Sequence, residues 1–275
     1  MKELGQHFLQ DEEIAAEIVA SMGLRWEERA LEIGPGRGIL LRFLLKASHR
    51  VTAVELDRRL QKSLEKTFAG HPGLELVFDD VMKFDLMNYL ISELTPVKLV
   101  GNIPYSLSGP ILFHIFGVVE RLQESGEVVL KSATLMLQKE VAERLCAEPG
   151  GRIYGGLTVF RSLVADARLL FDVPGEAFFP PPKVTSSVIR LEFFPAVRFQ
   201  IKDRFLFQQF IHHVFAQRRK MLKNSLASLR WMCEDKAQVD HAQKRIGLPD
   251  DFDFTRRPEE LSVEDFIRLF HLIAP

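Results

Sequence analysis

Asn102-Ile103-Pro104-Tyr105 brings together an amide, a rigid elbow and an aromatic plate, the parts needed to hold a flat exocyclic amine. The Asn102 side-chain oxygen can accept a hydrogen bond from an NH2 group, and the Tyr105 ring offers a face on which a base can stack. Pro104 fixes its own φ and steers Ile103 out of the helical region, so the Ile103 carbonyl points in a preset direction. The same four residues also suit an ordinary strand-ending turn, since Asn and Pro are common turn formers.

Three further groups gain meaning from where they fall. Glu32-Ile33-Gly34-Pro35-Gly36-Arg37-Gly38 places glycines at alternate positions between an apolar run and a helical segment. Glycine there permits positive φ and a close backbone approach to a ligand; close packing of helix on strand is the plainer use. The spacing is G-x-G-x-G and not G-x-G-x-x-G, which favours a nucleoside with an amino-acid tail over a pyrophosphate. Glu55 ends a second strand, where a carboxylate can accept both hydrogen bonds of a ribose diol, and Asp80 follows a third, positioned to take an adenine amine. Asp79 reads as exposed, and His114 as a packing or surface histidine.

These positions converge only if the elements between them alternate correctly. The spacing predicts a helix over 11–22 capped by Asp11, then strands at Ala30–Ile33, Arg50–Val54, Leu74–Phe78, Val97–Val100 and Ala133–Leu137. Helices are expected at Ile39–Lys46, Leu60–Phe68 and Lys139–Cys146, giving βαβ units and a parallel sheet. Ligands of such sheets sit at the carboxyl ends of the strands, which brings the glycine turn, Glu55, Asp80 and Asn102 to one cleft. Ala165–Val173 and Ser187–Phe194 read as an antiparallel pair joined by a proline-rich link at Phe178–Pro182. After Pro195 only helices are expected, over Arg204–Leu229, Asp235–Ile246 and Val263–Leu272, so the domain boundary is placed at 196: a catalytic domain over 1–196 and a helical one over 197–275.

Composition bounds the rest. The chain has 275 residues, a formal charge of −1 and nearly half apolar side chains, so any affinity for nucleic acid must come from local clustering. Cys146 and Cys233 lie far apart without CxxC or histidine spacing, which argues against a disulfide scaffold and a zinc site and fits a reducing cytoplasm. No apolar stretch reaches the length of a membrane span. No metal is expected.

Taken together, the Glu-x-Gly-x-Gly-x-Gly turn, Glu55, Asp80 and Asn-Ile-Pro-Tyr resemble class I S-adenosylmethionine methyltransferases acting on exocyclic amines. Gly5-Gln6-His7-Phe8-Leu9, Phe178-Phe179-Pro180-Pro181-Pro182-Lys183-Val184 and Gln217-Arg218-Arg219-Lys220-Met221-Leu222 narrow the resemblance to the ribosomal RNA adenine N6,N6-dimethyltransferases, of the KsgA type that acts on small-subunit (16S) rRNA. It covers essentially the whole chain. It implies a Rossmann-like α/β fold with a mostly parallel seven-stranded sheet and a smaller helical C-terminal domain. It also implies that S-adenosyl-L-methionine is held by His7, Leu9, Gly34, Gly36, Glu55, Asp80 and Asn102, and that the target adenine is stacked between Tyr105 and Phe178. Asn102, Ile103 and Pro104 then orient the amine. Ile103, Val81 and Met221 replace the family's usual Leu, Ala and Thr; none removes a donor, acceptor or ring.

Residues 200–247 carry Lys202, Arg204, Arg218, Arg219, Lys220, Lys223, Arg230, Lys236, Lys244 and Arg245 against Asp203, Glu234, Asp235 and Asp240, a local excess of six positive charges. Charge alone fits a solvated face as well as a phosphate-binding one. With the resemblance, Lys183, Arg218, Arg219, Lys220 and Lys223 become candidates for RNA contact, with Arg218 on the apolar side of the wheel as a possible tie between the domains. A monomer is expected. A large-subunit (23S) rRNA methyltransferase, a ribosome-assembly factor with secondary methylase activity, and a methylase of small-molecule or protein amines are the alternatives.

Overall fold

The structure is a computed structural model in which residues 7–127, 129–226, 229 and 252–273 are described. Its strands in chain order are β1 (Phe8–Leu9), β2 (Arg29–Ile33), β3 (Arg50–Val54), β4 (Leu74–Val77), β5 (Val97–Asn102), β6 (Leu130–Gln138), β7 (Ala165–Val173), β8 (Phe178–Phe179) and β9 (Ser186–Phe193). Seven of them form one sheet in the order β4-β3-β2-β5-β6-β9-β7. Neighbours from β4 to β6 run parallel, while β9 lies antiparallel to both β6 and β7. β2, β3 and β5 are buried along nearly their whole length, as continuous apolar runs in a parallel sheet should be. The chain winds outward from β2 through β3 to β4, then returns to β5 on the other side of β2. The switch point between β2 and β5 is where a ligand crevice opens.

Helix α1 (Glu12–Ser21) starts at Asp11, whose carboxylate accepts from the backbone N–H of Glu13 at 2.9 Å and of Ile14 at 3.0 Å. It buries Ala15, Ile18 and Val19 in the same core as Leu40, Leu41, Leu44 and Leu45 of α2 (Ile39–Ala47), over Ala30, Val51 and Ala53 of the sheet. Burial of each such leucine contributes about 1.5–3 kcal/mol. Next come α3 (Gln61–Thr67), α4 (Leu86–Ile91), α5 (Ser108–Ser125) and α6 (Lys139–Leu145). The sequence reading lacks α4 and gives α5 only as a helical, apolar neighbourhood around His114, without bounds. In α5 the apolar side chains Ile111, Leu112, Ile115, Phe116, Val118, Val119 and Leu122 are all buried, so its pattern is too apolar to show a clear polar face.

The chain divides into two compact units, Met1–Cys146 with Val164–Val197, and Ala147–Leu163 with Arg198–Pro275. The simple cut expected at 196 therefore misses an excursion over 147–163, which includes most of α7 (Gly156–Val164). The physical reason is aromatic packing: Tyr154 lies 5.9 Å from Phe215, and Phe160 meets Phe207 edge-on at 6.3 Å. The second unit is built on such rings. Phe207 and Phe210 of α8 (Arg204–Ala216) pack on Phe266 and Phe270, with Phe207 and Phe270 edge-on at 5.2 Å.

The helix expected over Arg204–Leu229 is two helices. It stops at Ala216, and α9 (Leu222–Leu226) begins after a turn that contains Arg218, Arg219 and Lys220. The break is fixed from outside the local sequence. The first N–H groups of α9, those of Leu222 and Lys223, donate to the carbonyls of Arg256 and Phe254 at 3.0 and 3.2 Å, so orphan donors find partners in the C-terminal segment. The final helix, α10 (Val263–Ile273), follows the expected span closely. The helix expected over Asp235–Ile246, and with it Arg230, Lys236, Lys244 and Arg245, lies outside the described residues, as do Gly5 and Gln6.

Candidate active site

At the carboxyl ends of β2, β3, β4 and β5 the first unit opens a cavity of about 270 Å³. It is lined by His7, Leu9, Gly34, Gly36, Glu55, Asp80, Asn102, Ile103, Pro104 and Tyr105, all of which the sequence singles out. The glycine turn takes positive φ at Gly34 (69°) and Gly36 (58°). At Gly36 a Cβ would also come within 3.0 Å of the Phe8 ring, so a larger residue would have to displace that ring as well as strain the turn. Backbone bonds continue the sheet into the site: Gly34 N–H to Val54 C=O and Glu55 N–H to Val77 C=O, both at 2.9 Å.

Glu55 is 2% exposed, and its two oxygens accept from the backbone N–H of Gly36 at 2.9 Å and of Asp57 at 2.7 Å. Burial raises its pKa, and those two backbone bonds oppose the shift. The Asp80 carboxylate accepts from Met82 N–H at 2.9 Å, which turns the loop after β4 back toward the cavity. Asp79 is exposed at the rim, as expected.

Asn102 ends β5, and its Nδ2 donates to the His7 carbonyl at 3.0 Å. That bond commits the amide's donor end to the N-terminal segment and leaves Oδ1 to accept from a ligand. Ile103 N–H donates to Met136 C=O at 3.1 Å, and Pro104 holds φ −56° and ψ 131°, so the elbow is extended and anchored to β6. The Ile103 carbonyl takes no hydrogen bond among the described residues. Half-buried Tyr105 has its hydroxyl 2.7 Å from Ser186 Oγ of β9, and its ring lies 5.6 Å from the His7 ring. Burial raises the Tyr105 pKa, with the Ser186 bond opposing.

The family model for ribosomal RNA adenine dimethylase matches residues 1–273. The chain belongs to the ribosomal RNA adenine dimethylase family. It is therefore an enzyme that dimethylates adenine in ribosomal RNA, and methyltransferase families of this kind draw the methyl group from S-adenosylmethionine. It is similar to the curated protein named ribosomal RNA small subunit methyltransferase A of Methylococcus capsulatus, 39% identical over 276 residues that cover 100% of this chain and 98% of that protein. The protein of the same name from Acaryochloris marina is 37% identical over 274 residues, covering 100% and 97%. Among solved structures, a dimethyladenosine transferase from Plasmodium falciparum shares the fold at a TM-score of 0.71, with 24% identity over 96% of each chain. The 23S rRNA methyltransferase ErmE superposes at 0.62, with 26% identity over 97% of this chain and 99% of that one.

In this dimethylase one expected site residue stands apart. Phe178 does not line the cavity; it is 3% exposed and packs in the core with Leu9, Ala177 and Val188. The reason is the pairing of β8 with β1, in which Phe178 faces Leu9 and Phe179 faces Phe8. Neighbouring side chains of a strand point to opposite sides, so Phe179 is the exposed ring, at 55%. The basic candidates also divide. Lys183, Arg219, Lys220 and Lys223 are exposed. Arg218 donates to Glu259 at 2.7 Å and to the Arg152 carbonyl at 2.6 Å, both within the second unit, so its part in a tie between domains gives way to one inside the helical unit.

Sequence reasoning missed Leu56 and Met82, large apolar side chains that line the cavity yet stay partly exposed. The signal was available: each follows a singled-out acid by one or two positions, where a loop has no core to offer a hydrophobic residue. It also gave no role to Glu32, which lines the cavity from β2.

Proposed function

We propose that the enzyme transfers methyl groups from S-adenosylmethionine to the N6 amines of two adjacent adenosines near the 3′ end of small-subunit (16S) rRNA, as a cytoplasmic monomer in ribosome biogenesis. The observation that carries the reading is the bond from Asn102 Nδ2 to the His7 carbonyl, which turns the acceptor end of the amide to the cavity. A large-subunit substrate is not favoured, because the curated relatives that match the whole chain are named for the small subunit.

The residues fit the cofactor. A glycine turn at positive φ packed closely beneath Phe8, a buried acid at the end of β3 and apolar side chains at Leu56 and Met82 suit an adenosine with an amino-acid tail. Glu55 holds the ribose diol with the lone pairs not used by Gly36 and Asp57, and Asp80 takes the adenine amine, with Leu56 and Met82 as apolar walls. Gly34 and Gly36 pass beneath the tail while His7 and Leu9 close over it. When bound, the cofactor supplies an electrophilic methyl group on a positively charged sulfur.

Adenine N6 is a weak nucleophile because its lone pair is delocalised into the ring. Asn102 Oδ1 and the Ile103 carbonyl accept hydrogen bonds from its two N–H groups, which favours a pyramidal nitrogen with its lone pair aimed along the transfer path. Pro104 keeps that carbonyl in place. No strong base is needed beforehand, since the amine proton becomes acidic only as positive charge develops on nitrogen. Tyr105 carries the base by stacking, worth about 1–3 kcal/mol, which offsets the cost of unstacking it from RNA. Lys183, Arg219, Lys220 and Lys223 contact phosphates.

The test supplies labelled S-adenosylmethionine and unmethylated small subunits, then maps the modified bases. Label on two adjacent adenosines is expected, with Asn102→Ala reducing transfer by about 10²–10³-fold at saturating cofactor, its cofactor affinity being measured separately. Near-normal turnover of that variant, or label confined to large-subunit RNA, overturns the reading.

A further inference from the structure

The pairing of β1 with β8 leaves one aromatic ring in water beside the cavity. Phe179 is 55% exposed and stands directly opposite Phe8, which lies over the glycine turn and lines the cavity wall. Directly opposed residues of an antiparallel pair share a face, with Cβ atoms about 4.5–5.5 Å apart, so Phe179 begins one residue's breadth outside that wall. A solitary exposed phenylalanine is ordinary. This one continues the rim of the methyl-transfer site.

Two cations accompany it. Arg37 projects from the glycine turn over the Phe8 ring, 5.0 Å from its centroid, and Lys183 follows Phe179 by four residues. Both are exposed, and neither forms an ion pair among the described residues. Val184, 46% exposed, extends the apolar surface beside Lys183. The His7 ring Nδ1, 2.7 Å from the Pro180 carbonyl, fastens the segment after Phe179 to the N-terminal strand, so the seat of the ring is fixed. A flat ring with cations on either hand is how unpaired nucleic acid is gripped: bases stack on the aromatic face while the cations follow the phosphates.

We propose that Phe179 is the stacking plate for the nucleotide next to the adenosine being methylated, with Arg37 and Lys183 on the phosphates that flank it. The inference rests on the reading of the enzyme as one that acts on two adjacent adenosines of RNA. The target base enters the cavity and stacks on Tyr105, so its neighbour crosses the cavity mouth. Phe179 stands at the mouth and does not line the cavity, which suits the neighbour and not the target. Flipping one base out of the stack also strips its neighbour of a stacking partner, and the Phe179 ring replaces that partner. Every base has a π face, so the plate holds the register of the strand without reading its sequence.

The test measures steady-state methylation of unmethylated small subunits by the full-length enzyme, varying subunits and S-adenosylmethionine separately. Phe179→Ala should raise KM for the subunits by about five- to tenfold, with KM for S-adenosylmethionine and Tm unchanged. Phe179→Trp should restore the wild-type value. Phe179→Leu, which keeps an apolar contact for Phe8 but has no flat face, should not. Arg37→Gln, at saturating cofactor, and Lys183→Gln should each lower the slope of log subunit affinity against log salt by about 1, whereas Phe179→Ala should leave the slope as it is. A wild-type KM for subunits in Phe179→Ala, full rescue by Phe179→Leu, or a loss confined to KM for the cofactor overturns the inference alone. Failure of the wild type to modify adjacent adenosines in the subunits overturns the reading of the function and this inference with it.

Discussion

At the scale of single residues, the site is governed by which lone pairs are already in use. Asn102 spends its donor on the His7 carbonyl, Glu55 accepts from two backbone amides, and Glu32 keeps an oxygen unpaired. The Glu32 imbalance has a consequence for stability that needs no ligand. A carboxyl whose folded pKa is raised binds its proton more tightly in the native state than in the unfolded chain. Its stabilising contribution is complete below the unfolded value of 4.5 and is lost as pH rises through about 8. Thermal melts of the cofactor-free enzyme should therefore show Tm falling between pH 5 and pH 8, and Glu32→Gln should fall less over that window. Parallel slopes for the two proteins would mean that Glu32 does not titrate there.

Among elements, short-range and long-range forces part company at two places. α1 is closed locally by its Asp11 cap, and its span follows from sequence periodicity. The Gln217–Met221 turn is not local, because the donors of the following helix are met by Phe254 and Arg256 carbonyls. Sequence periodicity reads straight through it, since no proline or glycine marks the break. The basic residues of the turn should then act differently from one another. Arg218→Ala removes a half-buried ion pair to Glu259 and a bond to the Arg152 carbonyl, at a cost of about 1 kcal/mol, or roughly 2–4 °C in Tm. It should leave the salt dependence of RNA binding unchanged. Arg219→Ala and Lys220→Ala should leave Tm unchanged, weaken RNA binding and each lower the slope of log affinity against log salt by about 1. Filter binding across a salt series beside thermal melts separates the two classes.

Over the whole molecule, the site depends on segments far apart in the chain. β1 pairs with β8, the His7 ring Nδ1 lies 2.7 Å from the Pro180 carbonyl across 173 residues, and the Tyr105 hydroxyl lies 2.7 Å from Ser186 Oγ across 81. Removal of residues 1–9 should keep the sheet's far-ultraviolet circular dichroism. It should weaken cofactor binding and lower methyl transfer by more than about tenfold, because Asn102 loses the partner that orients it and Gly36 loses its cover. Unchanged transfer by the truncated enzyme would refute that role for the segment. The sequence by itself determined the alternation of strands and helices, the glycine turn, and the set Glu55, Asp80 and Asn102-Ile103-Pro104-Tyr105, because parallel βαβ order delivers strand ends to one edge. Only the tertiary structure decided that Phe178 turns inward while Phe179 is exposed, that 147–163 packs with the helical unit, that Arg218 is engaged within that unit, and that Glu32 is the unpaired acid of the cavity. Each of these turns on which distant group supplies a partner or a packing surface, and residue type and local spacing carry no record of that.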